Sequence, residues 1–85
     1  DTDYLRTFIE IVKRGSFSEA ASALGITQPA VSLQVRRLEG DLNVRLLGRG
    51  GRKIRLTSAG ERFLRHCRDV VAREQKLIEG LAELS

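Results

Sequence analysis

The sequence predicts a mainly α-helical fold, three short helices and one long one with a small β-hairpin set before the last, and three observations carry the prediction. Apolar residues recur at three- and four-residue spacing along most of the chain, the period of helices with one buried face. Glycines and capping side chains, among them Gly15, Ser18, Gly25, Thr27 and Thr57, punctuate those stripes where helices should start or stop. The period changes only across residues 46–56, where Leu46 and Leu47, a glycine-rich stretch, and Ile54, Arg55 and Leu56 read as two short strands joined by a turn.

Size and charge bound what such a fold can do. A chain of 85 residues makes one domain with a marginal core, so pairing with another copy is a physical expectation. Lys and Arg outnumber Asp and Glu by 15 to 11, and the surplus is local. Arg36, Arg37, Arg45, Arg49, Arg52, Lys53 and Arg55 face only Glu39 and Asp41 over that stretch, which points to a polyanionic partner such as nucleic acid. The single cysteine excludes an intrachain disulfide and fits a reducing compartment. No apolar run is long enough to span a bilayer and the start has no signal-peptide character, so a soluble, cytoplasmic protein without membrane contact is expected. The chain opens without Met and stops in mid-pattern at Ser85, which reads as a piece of something longer.

Taken in order, Asp1 or Thr2 is placed to cap a first helix, whose stripe is Leu5, Phe8, Ile9 and Val12 and whose end is Lys13, Arg14 and Gly15. Ser18 is read as the cap of a second helix with Glu19 in its first turn; Ala20, Ala21 and Ala23 keep it slim, and Phe17 packs beneath from just outside. Gly25 supplies the positive φ of a tight turn between Leu24 and Ile26. Thr27 then caps a third helix, with Pro29 tolerated in its first turn, where the N–H it lacks would have had no helical partner. Val31, Val35 and Leu38 share its buried face; Gln28, Pro29, Ser32, Leu33 and Arg36 share the other. Residues 16–39 are thus a helix-turn-helix whose second helix carries amide, hydroxyl and guanidinium groups outward, suited to base edges and phosphates. Asn43 is expected to close that helix in a left-handed turn. In the hairpin, Arg52 and Lys53 stand near the tip as a wing, where an arginine has the reach to enter a minor groove. Thr57 caps the last helix, with Glu61 in its first turns. Its stripe of Phe63, Leu64, Cys67, Val70, Val71, Leu77, Ile78, Leu81 and Leu84 is too long for one small core, so its far half is expected to pair with the same helix of a second chain. Glu74 interrupts that stripe and Gly80 weakens it.

The series FIEIVKRGSFSEAASALGITQPAVSLQVRRLEGDL, then VRLLGR, then LTSAGERFL, in this order and spacing, resembles the amino-terminal domain of the LysR-type transcriptional regulators over essentially the whole chain. The resemblance implies a winged helix-turn-helix over residues 1–57, a linker and dimerisation helix over 58–85 that pairs antiparallel with its twin, and a separate effector-binding domain with no counterpart in these residues. It implies base readout by Thr27, Gln28, Pro29, Ser32 and Leu33 from the third helix and by Arg52 from the wing. Backbone contacts are implied for Ser16, Ser18 and Arg49, and Gln34, Arg36 and Lys53 are placed with them as phosphate contacts. The dimer is assigned to Phe63, Cys67, Val70, Val71, Leu77, Ile78 and Leu81. Two departures stand out: Leu47 where the family usually has Phe, and Leu33 where many members carry a polar or basic residue. A leucine there could meet a thymine methyl instead.

Rival readings are weaker. For Gln28, Ser32 and Arg36 the bland alternative is a solvated helix face, and for Arg36 or Arg37 an ion pair with Glu39 or Asp41. The glycines at 48–51 lack the GK[ST] ending of a phosphate-binding loop and lead into a strand. Cys67 on the apolar stripe reads as a packed thiol, and His66 has no second ligand type beside it for a metal. No nucleophile, base and orienter set suggests an enzyme, and no cofactor is expected. The stronger alternative is a winged helix that binds RNA or a protein. A polar helix face beside a basic wing favours duplex DNA, read as an inverted repeat by a homodimer, with higher oligomers in a full-length protein and a small-molecule effector only through a further domain.

Overall fold

The computed structural model describes residues 3–48 and 53–85. Helices α1 (Asp3–Arg14), α2 (Phe17–Leu24) and α3 (Gln28–Leu42) precede a two-armed segment, and α4 (Ser58–Ala82) closes the chain. The expected cap at Asp1 or Thr2 and the wing residues Arg49 and Arg52 lie outside the described residues.

α1 buries Leu5, Phe8 and Ile11, with Ile9 and Val12 packed more loosely at the edge. Ile11 lies one turn beyond Phe8, so the centre of the stripe is rotated from the expected Leu5, Phe8, Ile9 and Val12. Its last turn carries Lys13 and Arg14, and Gly15 ends it at φ +69°. The cap of α2 differs from expectation. Ser16, not Ser18, stands outside the helix in extended conformation, and its hydroxyl accepts the backbone N–H of Glu19 at 3.2 Å. Phe17 is therefore the first residue of α2 and not a residue preceding it.

The buried alanines Ala20 and Ala21 let α1, α2 and α3 converge on one core with Val31, Val35, Leu38, Leu46 and Leu47. α4 completes that core from the other side through Leu64 and Cys67, and the Phe63 ring meets Phe8 edge-on at 5.2 Å. Farther along, Glu74 pairs with Arg6 of α1 at 3.4 Å. The residue that breaks the apolar stripe thus ties α4 to α1.

The hairpin is slighter than two strands over the described residues. Among the described residues its arms meet at one antiparallel bridge, Leu47 with Leu56, flanked by Gly48 N–H donating to the Arg55 carbonyl at 2.8 Å and Thr57 N–H donating to the Leu46 carbonyl at 3.0 Å. Arms of two or three residues leave no length for a ladder. Gly60 explains how closely they sit on α4: a Cβ there would collide with the Leu46 carbonyl oxygen and come within 3.1 Å of Leu56 Cδ2.

Candidate nucleic-acid interface

α3 is held by its ends and by one face. Thr27 is extended, its hydroxyl accepts the Ala30 N–H at 3.2 Å, and Pro29 occupies the first turn, as the sequence requires. Gly25 at φ +71° and Asn43 at φ 55° supply the left-handed turns before and after it. Val31, Val35 and Leu38 are buried, so the opposite face of α3 is turned away from the core.

On that outer face lie Gln28, Pro29, Leu33 and Arg36, all exposed, with Ser32 half-buried at its edge. The Gln28 amide nitrogen donates to the Ser32 hydroxyl oxygen at 2.9 Å, one turn along the helix. Leu33 leaves 42% of its surface open, an apolar group where a core helix would not expose one. Gln34 is half-buried, and its Oε1 is buried without a hydrogen-bond partner among the described residues. A phosphate accepts hydrogen bonds, so that oxygen could not serve one; only the amide nitrogen could. Ser18 is exposed in the first turn of α2, whereas the hydroxyl of Ser16 is engaged as its cap. Lys53 is exposed on the returning arm of the wing.

The sequence reading missed what fixes the wing to α3. Glu39 is only 14% exposed in its side chain, and its Oε2 accepts the backbone N–H of Leu46 at 2.7 Å and of Leu47 at 3.2 Å, with Arg45 Nε 3.9 Å away. A carboxylate holding two successive N–H groups is a charge-assisted clamp on the root of the wing. Glu39 is thus ion-paired with Arg45 and not with the expected Arg36 or Arg37, while Arg36 lines a shallow hollow with Glu39, Gly40, Asn43 and Arg45. From the α4 side, the Thr57 hydroxyl accepts the Gly60 N–H at 3.0 Å and donates to the Arg45 carbonyl at 2.6 Å. Helix α3, wing and α4 are one continuous support.

The residues assigned to pairing divide in two. Cys67 has no exposed surface, so it packs within this chain and has none to give a partner; burial pushes its thiol up to about 11. Phe63 and Val70 pack against the same core while keeping part of their surface, and Val71 is half-buried. Leu77, Ile78 and Leu81 are 60%, 52% and 56% exposed, and Leu84 more so. His66 is exposed beside Phe63, and no group of metal-binding side chains occurs among the described residues. Nor, among these residues, is any helix long and apolar enough to cross a membrane.

Residues 2–61 match the family model described as "Bacterial regulatory helix-turn-helix protein, lysR family". The chain belongs to that family. A "Probable RuBisCO transcriptional regulator" of Cyanidioschyzon merolae is 44% identical over 82 residues, covering 96% of this chain and 27% of the relative. The "HTH-type transcriptional regulator HdfR" of Salmonella newport is 48% identical over 64 residues, 75% of this chain and 23% of the relative. The chain thus spans about a quarter of the length of the curated relatives it matches. Among solved structures, a "BenM_DBD/benA site 1 DNA Complex" superposes with a TM-score of 0.94 at 30% identity, over 99% of this chain and 94% of that one. A "CbnR_DBD-DNA complex" gives 0.89 at 32% identity over 99% and 97%. The expected fold class and family resemblance hold: this is a mainly helical member of the lysR family, with a wing reduced to one bridge among the described residues.

Proposed function

We propose that this chain is the duplex-DNA-reading part of a bacterial transcriptional regulator that works as a homodimer. The observation that carries the proposal is the outer face of α3, where Gln28, Pro29, Ser32, Leu33 and Arg36 stand together on a helix whose other face is locked into the core. It is supported by the likeness of the whole chain to DNA-binding domains solved on DNA. Two copies of α3 would enter successive major grooves of an inverted repeat, and each wing, with Arg52 at its tip, would lie along the neighbouring minor groove. The residues divide into a DNA-reading unit, 1–57, and a pairing helix, 58–85, joined through the Leu64 and Cys67 packing. Phosphate contacts fall to Arg36, Arg49 and Lys53, with Ser16, Ser18 and Gln34 as lesser candidates. The work is that of a non-enzymatic, cytoplasmic regulator, and no residue here is assigned to an effector.

The test is binding to duplexes selected from a random pool as salt is raised. Affinity should fall by orders of magnitude between about 50 and 200 mM salt as condensed counterions are released. A flat salt dependence would sink the assignment. Preference for structured RNA over the selected duplex would favour the RNA-binding alternative.

A further inference from the structure

The hydrogen bond between Gln28 and Ser32 changes what each can do at a base edge. A carboxamide has one acceptor oxygen and two N–H groups, and Gln28 commits one N–H to the Ser32 hydroxyl oxygen at 2.9 Å. What remains is an acceptor beside a donor. In the major groove adenine presents the complement, its N6 amino donor beside its N7 acceptor, whereas guanine presents two acceptors. With the amide reversed, Oε1 would face the hydroxyl and both N–H groups would point outward, a pattern suited to guanine. A serine hydroxyl can partner either sense; the sense found here, with the hydroxyl oxygen accepting from the amide, is the one that leaves the adenine pattern outward. Ser32 is half-buried within α3, flanked in sequence by the buried Val31 and Val35, while Gln28 is the first, exposed residue of the helix. The more buried hydroxyl therefore gives the exposed amide a fixed point to bond to.

We propose, resting on the DNA-reading assignment above, that Ser32 is a positioning residue that holds the Gln28 amide in its adenine-reading orientation, so that the two side chains read one base pair as a unit. Leu33 and Pro29 play no part in this contact.

The experiment uses the 85-residue chain and a duplex selected from a random pool, with each adenine of the half-site replaced in turn by the other bases and by 7-deazaadenine, which lacks the N7 acceptor. One adenine should emerge whose replacement by another base weakens binding on the order of 10- to 100-fold, with 7-deazaadenine also weakened there. Ser32→Ala should reduce that preference to about twofold, the size of an uncoupled background effect. The same change should add nothing in a Gln28→Ala background, and Ser32→Thr should restore the preference while circular dichroism reports unchanged helix content in all variants. Full adenine preference in Ser32→Ala overturns the proposal, as do additive losses from the two substitutions at different base pairs. Neither result bears on the DNA-reading assignment itself, which falls only if the unsubstituted chain shows no salt-dependent duplex binding.

Discussion

At position 60 a side chain of any size would meet the Leu46 carbonyl, so Gly60→Ala must push the root of the wing off α4 or shift the helix. We expect a loss of about 1 to 3 kcal/mol, the range for overpacking a tight contact, measured as a lower urea midpoint at unchanged slope. Cys67 makes a second prediction at this scale. Its thiol pKa is raised to about 11 in the folded chain, so the folded state keeps the proton that the unfolded chain gives up near 9. The resulting stabilisation is fully present below about pH 9 and is lost as the pH climbs toward 11. Cys67→Ala should lack that extra alkaline decline in a series of denaturation curves; identical pH profiles would contradict the burial argument. Single residues were also where the sequence was hardest to read. Ser16 and Ser18 are both good caps, and the Ser-x-x-Glu spacing from Ser16 to Glu19, a capping-box signature, was the signal that distinguished them. Ile11 was missed because a 12-residue helix tolerates two neighbouring stripes until its partners choose one.

Elements joined by short-range physics were legible, and those joined across the fold were not. The bounds of α3 follow from Thr27, Pro29 and Asn43, whose roles depend on residues within one turn, and the face of α3 follows from helical period alone. The Glu39 clamp reaches seven and eight residues ahead to main-chain N–H groups, and no pattern of side chains announces such a bond. The same limit applies to the arms of the wing, whose alternation suggests strands where the described residues form one bridge. The clamp can be tested. Glu39→Ala leaves two N–H groups without their acceptor and should cost about 1 to 3 kcal/mol, while Glu39→Gln keeps an oxygen in place and should cost less. Equal losses in the two variants, read from chemical denaturation, would show that the carboxylate oxygen is not what holds Leu46 and Leu47.

Viewed as a whole, the molecule measures 49 × 27 × 20 Å, and the 25 residues of α4 form a rod about 37 Å long that fits only along the greatest dimension. The Arg6–Glu74 pair ties that rod to α1; beyond it Leu77, Ile78 and Leu81 stand more than half exposed. Ile78→Asp should therefore move sedimentation toward the monomer without unfolding α1 to α3, and an unchanged dimer would place the interface elsewhere. The two halves of α4 also answer to different influences. Isolated helical segments of a few turns are marginal in water, and the outer half, with Gly80 within it, would be steadied by the second chain of the proposed homodimer. Dilution should then melt the last turns before it touches the core, so that far-ultraviolet dichroism per residue falls as the sample is thinned. Under the proposed pairing, the protein's own abundance becomes a variable of its secondary structure: a scarce chain would be a shorter rod.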